Sequence, residues 1–360
     1  MAWALAGVIV LVYLINKWTL SSGYINLDYR MEIENNVVEI GEEIQIYSII
    51  ENNKFMAVPF LEVSEKFPKG FNTLGNSYAI FIMPYQRVRR KYSIMGEKRG
   101  LYNIEMVNFS LGDFIGFSSH HKYLKMKKEI IILPKKVDLQ EELVPVGALL
   151  GDISVRRWIV DDPLMTIGIR EYTGNEPERY IHWPSSMKYN ELMVKNFDFT
   201  TDNSVLIALN IETMKPSWEP IEEDLIETCI SLARGVIEEL EEEKIPYGLI
   251  TNAHNDLSIY EKGYYYHPGL GNRHLENLIE IMGRLSYKSD MLFENTLKSI
   301  IKKQGNYTTV VIITSRILNT YIEPINRLAG VASKTVVISL EDEYLDILPG
   351  HIIKYRGEIK

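Results

Sequence analysis

Val205-Leu206-Ile207-Ala208-Leu209-Asn210 carries the clearest sign of how the larger part of this chain folds. It is almost continuously apolar, and the runs 247–252, 308–314 and 334–340 share that character. A strand apolar on both faces needs cover on both faces, which is the situation of a parallel sheet between two layers of helix. Helical patterns separate the four runs. Ile221, Leu225, Cys229, Leu232, Val236 and Leu240 recur at three- and four-residue spacing behind Pro220, with Glu222, Glu223 and Asp224 in the first turn. Further helices are predicted over 274–287, 290–303 and 318–328. Residues 202–360 therefore read as a Rossmann-like α/β domain with a mostly parallel sheet.

Upstream the period changes from that of buried strands to strict alternation. Val37-Val38-Glu39-Ile40, Glu43-Ile44-Gln45-Ile46-Tyr47-Ser48-Ile49 and Pro59-Phe60-Leu61-Glu62-Val63 are short period-two runs, with more at 78–83, 87–94, 101–109 and 129–133. Asn52-Asn53 and Pro68-Lys69-Gly70 punctuate them. This spacing predicts an all-β sandwich over 24–136. The less regular stretch 137–201 is expected to connect the two domains. A chain of 360 residues with 46% hydrophobic content has room for such a multidomain plan.

Met1 to Asn16 carries no charge, and Trp3, Tyr13 and Trp18 stand near its ends. This is the pattern of a transmembrane anchor over 1–20, reaching the roughly 20 residues of a span only if Lys17 snorkels. A cleaved signal peptide is the rival, although no positive region precedes the apolar run; a buried amino-terminal helix is another. Lys17 and Arg30 follow the segment and no basic residue precedes it. The expectation is a single-pass protein of the cell membrane with its soluble part cytoplasmic.

The formal net charge of -9, from 39 Lys and Arg against 48 Asp and Glu, argues against a general nucleic-acid binder. The single cysteine, Cys229, lies in a helical apolar pattern and reads as a small buried hydrophobe. No Gly-x-x-x-x-Gly-Lys-Ser/Thr run is present, so nucleotide hydrolysis is assigned to another chain, and no cofactor is expected.

Arg170-Glu171-Tyr172-Thr173-Gly174-Asn175-Glu176-Pro177-Glu178-Arg179-Tyr180-Ile181-His182-Trp183 has an order of charged and aromatic residues that composition does not explain. It resembles the motif of domain-of-unknown-function family fifty-eight: Arg, any, Tyr, two free positions, Gly-Asp, two free positions, Arg, any, Ile-His-Trp. Asn175 and Glu176 stand where that family usually has Gly-Asp. Arg99-Gly100-Leu101-Tyr102, Gly112-Asp113-Phe114-Ile115-Gly116-Phe117 and Ile132-Leu133-Pro134 extend the likeness upstream. The resemblance implies a membrane-anchored protein with a von Willebrand factor A-like domain after the motif, acting as an adaptor beside a MoxR-type AAA ATPase. The family usually has two membrane helices ahead of its soluble part, and one is visible here.

The motif supplies the candidate binding residues Arg170, Tyr172, Glu176, Arg179, His182 and Trp183: two guanidinium forks that grip carboxylates, a carboxylate, and rings with polar tips. One reading is an inter-domain clamp with Trp183 packed beneath; the other is a surface for a partner's acidic or carboxy-terminal segment. A catalytic reading would use His182 as base for Ser185 or Ser186, but the Gly-flanked elbow of hydrolases is missing. In the resembled domain, metal-binding members place Asp-x-Ser-x-Ser after the first strand. Here Asn210-Ile211-Glu212-Thr213-Met214 stands there, with a neutral amide in place of a carboxylate and a thioether in place of hard oxygen. A degenerate site that holds no metal is expected. His120-His121 reads as an exposed hairpin. The acidic run Glu238 to Glu243 reads as a solvated helix face, or a site for a basic partner, and Tyr264-Tyr265-Tyr266 as an edge strand. The reading as a whole is a membrane-tethered, non-enzymatic protein-interaction adaptor; its rivals are a metal-dependent or Ser/His hydrolase and an envelope adhesion module.

Overall fold

Isoleucines at alternate positions organise the first of the two compact units, Met1–Lys135 and Lys136–Lys360, into which the chain divides. The computed structural model describes residues 2–112, 119–146, 166–172, 181–197, 204–213, 222–257, 263–303 and 307–357. The first unit carries helix α1 (Ala2–Ser22) and strands β1 (Leu27–Ile33), β2 (Val37–Val38), β3 (Glu43–Asn52), β4 (Val58–Lys66), β5 (Gly75–Ile82), β6 (Arg87–Met95), β7 (Gly100–Gly112) and β8 (Ser119–Ile132). They form a sheet β1-β3-β6 and a second sheet β2-β8-β7-β4-β5, antiparallel except where β2 runs parallel to β8. Ile44, Ile46 and Ile50 of β3 share one buried cluster with Leu61 and Val63 of β4 and Val107 and Leu111 of β7, so the two sheets close face to face as a β-sandwich.

That core has a polar inclusion. Glu65 of β4 is fully buried, at an inward position of its strand. Its carboxylate accepts hydrogen bonds from Tyr29 Oη at 2.6 Å, from Ser48 Oγ and from Tyr92 Oη. Burial raises the hydroxyl pKa of Tyr29 and Tyr92, and the neighbouring carboxylate raises it further, so both remain donors. Three strands of one sheet are thereby pinned to a strand of the other.

The fold class expected for the whole chain is corrected. Among the described residues no helix is long and apolar enough to cross a membrane. The last turn of α1 is polar, with Ser21 and Ser22 hydroxyls bonding back to Trp18 O, and it touches the sandwich where Ser22 Oγ lies 3.7 Å from Met56 Sδ and Leu20 packs on the core. In place of the expected series with a membrane helix and a von Willebrand factor A-like domain stands a β-rich chain with four sheets among the described residues, two of them forming the sandwich and the largest of them mixed.

The second unit contains α2 (Leu139–Glu142), β9 (Leu143–Pro145), β10 (Thr166–Glu171), α3 (Trp183–Tyr189), β11 (Met193–Phe197), β12 (Val205–Leu209), α4 (Glu223–Glu242), β13 (Tyr247–Thr251), β14 (Tyr264–Gly269), α5 (Asn272–Arg284), α6 (Phe293–Lys303), β15 (Thr309–Thr314), α7 (Asn319–Val331), β16 (Lys334–Ser339) and β17 (Ile353–Gly357). Its main sheet runs β14-β13-β12-β15-β16-β17-β9, with five central parallel strands and antiparallel strands at both edges. Alternate residues of each strand feed opposite cores. Val205, Ile207 and Leu209 join α4 and α5 on one face, while Leu206 and Ala208 join α6 and α7 on the other. Cys229 is fully buried in the α4 layer, which raises its thiol pKa. Gly235 lets the 137–139 segment lie close on α4, since a Cβ there would sit 3.0 Å from Leu139 Cδ2 and 3.1 Å from Val137 O. β9 is thereby delivered to the edge beside β17.

The acidic end of α4 is partly structural. Glu238 pairs with Arg234 at 2.9 Å, and buried Glu241 accepts from Tyr247 Oη and Gly271 N, both at 3.0 Å, joining α4 to β13 and to the start of α5. Burial acts to raise the Glu241 pKa, but the Gly271 amide, the Tyr247 hydroxyl and Lys244 outweigh it and hold it below the ordinary 4.5. A carboxyl with a lowered folded pKa adds stability that is complete above its unfolded pKa and is lost as pH falls through the folded value. Urea titrations of Glu241→Gln should therefore show a shallower loss of stability than wild type as pH drops below 4.5. In the first unit, Glu65→Leu leaves three inward hydroxyls without their acceptor and is expected to cost about 3 kcal/mol in the same measurement, with Glu65→Gln costing less.

Candidate functional site

The strand order reverses beside β12: β13 lies on one side of it and β15 on the other. Ligands of open α/β sheets bind in the crevice outside the carboxyl ends of the strands at such a reversal. Asn210, Ile211, Glu212 and Thr213 follow β12; Asn252 follows β13; Ser315 and Arg316 follow β15; Glu341 lies just beyond β16. Polar residues from four strands are therefore gathered along one rim, although their sequence positions are far apart.

Asn210, Glu212, Asn252 and Thr314 bond to one another and to neighbouring backbone along the inner part of that rim. Asn210 Nδ2 donates to Thr314 Oγ1 at 2.9 Å, spanning the reversal, and Asn210 Oδ1 accepts from Glu212 N at 2.9 Å and from Asn252 Nδ2 at 3.1 Å. Asn252 Oδ1 accepts from Ile211 N at 3.0 Å. The Glu212 carboxylate turns inward, where Oε2 accepts from Phe293 N at 2.9 Å and Tyr321 Oη at 2.6 Å, fastening the starts of α6 and α7. Burial raises the Tyr321 pKa, and the Glu212 charge raises it further. Asn210 Oδ1 and Glu212 Oε2 thus accept from amides and a hydroxyl of the protein itself. Among the described residues no group of three His, Cys, Asp or Glu side chains is placed to hold a metal ion. Met214 lies outside the described residues.

Two features of this rim have no signal in the sequence. Arg316 reaches Glu222 at 3.0 Å and Glu341 at 2.7 Å, so a guanidinium neutralises the acidic entry to α4 and joins it to the end of β16. His254 Nδ1 lies 2.9 Å from Oδ1 of Asp290, whose side chain is buried and whose amide donates to Asn252 O. These partners are separated by 94, 25 and 36 residues, beyond the reach of any local pattern.

The motif residues fall elsewhere, on a small module of β10, α3 and β11. β10 and β11 pair antiparallel with Arg170 opposite Val194, and buried Ile181 bridges Val194. Arg170 is exposed and its Nη1 contacts Glu171 O at 3.5 Å. Tyr172 is half-buried, its amide donating to Leu192 O. Glu176 and Arg179 lie outside the described residues. His182 caps α3: its Nδ1 accepts from Ser185 N at 3.3 Å and meets Ser185 Oγ at 2.8 Å. Ser186 Oγ donates to His182 O at 3.1 Å and accepts from Met193 N at 2.8 Å. The histidine and both serines are therefore committed to the turn that starts the helix. Trp183 is 60% exposed, and Met187 one turn on is 84% exposed.

No family model matches the chain, and no curated protein matches it. Among solved structures, the chain is similar to the CARDB domain of a Pyrococcus furiosus protein, determined in complex with two metal ions, at 12% identity and a TM-score of 0.22, over 29% of this chain and 91% of that one. It is also similar to the sporulation control protein Spo0M of Bacillus subtilis at 10% identity and a TM-score of 0.18, over 30% of this chain and 49% of that one.

The rim arrangement makes Glu212 a structural residue. Glu212→Ala strips the acceptor from a buried amide and a buried hydroxyl, so chemical denaturation should show a loss of about 2–4 kcal/mol, with Glu212→Gln losing less; an unchanged midpoint in Glu212→Ala would contradict this role.

Proposed function

We propose that this chain is a non-enzymatic protein-interaction module whose working surface is α3 and the motif residues beside it. The observation that carries this reading is the division of labour on that helix. His182, Ser185 and Ser186 turn their polar atoms into the local fold, while Trp183, Met187 and Tyr189 are left exposed. Exposed tryptophan, tyrosine and methionine are the residues that anchor protein contacts, since they cover large apolar area at modest cost in ordering. Arg170 adds an exposed guanidinium suited to a partner carboxylate.

The partner proposed is a MoxR-type AAA ATPase, supported by the resemblance of 170–183 to domain-of-unknown-function family fifty-eight. In this scheme the ATPase supplies nucleotide hydrolysis and the present chain supplies contact. A second reading, a Ser/His hydrolase, draws on the 2.8 Å approach of His182 Nδ1 to Ser185 Oγ. It is weaker because the same nitrogen caps the helix, Ser185 is buried, and no carboxylate partner of the ring is found among the described residues.

A photocrosslinker at position 187 should yield an adduct with a MoxR-type ATPase that forms only with ATP present and falls about tenfold, equivalent to about 1.4 kcal/mol, in Trp183→Ala. Ester or peptide hydrolysis by the purified chain that is lost in His182→Ala would overturn the proposal in favour of the hydrolase.

A further inference from the structure

The long strand β8 is paired with β7 along one edge, while among the described residues its other edge pairs at Ile131 and Ile132 with Val37 and Val38 of β2. Ile131 N donates to Asn36 O at 2.7 Å and Leu133 N donates to Val38 O at 2.8 Å. The chain's own two-residue strand thus shows that this edge accepts another strand. Toward the amino-terminal end, from Lys128 back to Ser119, no backbone partner from the described residues lies along that edge.

The vacant stretch has a chemistry of its own. Lys122, Lys125, Lys127 and Lys128, with His120 and His121, fall within one strand of a chain whose net charge is -9. Glu129 is the one acidic residue of β8, and it pairs with Lys127 at 3.2 Å. Where β2 leaves the edge, Ile33, Asn36, Lys127, Lys128 and Glu129 line a groove of about 330 Å³. Ile33 gives it an apolar wall, and the lysines give it positive charge.

We propose that this edge of β8 receives an extended acidic segment of a partner protein, which adds a strand in line with β2 and sets its carboxylates against Lys125, Lys127 and Lys128. Main-chain hydrogen bonds supply the affinity of such strand addition, and side chains supply its specificity. Lysines on an edge strand also guard against edge-to-edge pairing between copies of a protein. The same charges that repel a second lysine-rich edge favour an acidic one, and a guard alone would need no groove beside it. The proposal goes beyond the reading of α3: the two surfaces belong to different units of the chain, so failure of either leaves the other standing.

The test uses the full chain and a short fluorescein-labelled peptide of alternating valine and glutamate, followed by fluorescence anisotropy. Binding is expected to weaken with salt, and to fall at least about tenfold both for the Lys125→Glu, Lys127→Glu, Lys128→Glu triple variant and for a peptide N-methylated at alternate amides. Amides between 119 and 128 should become protected from hydrogen exchange when the peptide binds. No binding of the parent peptide, equal binding to the triple variant, or equal binding of the N-methylated peptide overturns the proposal. Tighter, lysine-dependent binding of phosphatidylserine vesicles or of single-stranded DNA overturns it in favour of a lipid or nucleic-acid surface. Should the triple variant fail to fold, the N-methylated peptide on the wild-type chain decides the question.

Discussion

At the point where the strand order of the larger sheet reverses, the Asn210 amide spans from β12 to the Thr314 hydroxyl at the end of β15. The rest of the rim depends on that link. With Asn210 fixed, its oxygen holds the Glu212 amide and Asn252, and the chain turns so that the Glu212 carboxylate drops onto the starts of α6 and α7. A buried carboxylate requires donors, and a backbone amide with a tyrosine hydroxyl meets that need without a cation. Among the described residues, Asn210 and Glu212 at these strand ends are engaged with other groups of the protein.

The same principle operates in the sandwich. Glu65 and Ser48 occupy inward strand positions that alternation alone would give to apolar residues, and tyrosines from β1 and β6 converge on them. Polar groups placed inside a core and satisfied there hold the strands in one register, because a slip of one residue would turn the side chains of the slipped strand to its other face and away from their partners. Both units thus use a buried glutamate as a clasp between elements distant in sequence, and both leave their unusual side chains, the aromatics of α3 and the lysines of β8, on the outside.

Much of the secondary structure was legible in the sequence for local reasons. Apolar runs at 205–210 and 308–314 coincide with β12 and β15, and the three- and four-residue spacing from Leu225 to Leu240 coincides with α4, because period and burial are properties of neighbouring residues. The first segment was misread as a membrane span. Hydropathy does not register that Ser22 and Leu20, in the last turn of α1, touch the sandwich. Of the candidate site, the replacement of carboxylate and hydroxyl by Asn210 and Glu212 was visible in residue types, whereas their partners Thr314, Phe293 and Tyr321 were not, being assembled by topology. Residue types left open whether Trp183 packs beneath the motif or faces a partner, because exposure is set by the surrounding fold; on α3 it is exposed while Ser185 and Ser186 are buried.

Asn210 and Glu212 hold the strand ends to the starts of α6 and α7 through hydrogen bonds within the protein. Amide hydrogen exchange, with and without millimolar magnesium, measures whether those bonds persist. Slow exchange at Ile211, Glu212 and Phe293, unaltered by magnesium, is the predicted result. Fast exchange at these amides that magnesium slows would show an open cation site and contradict it.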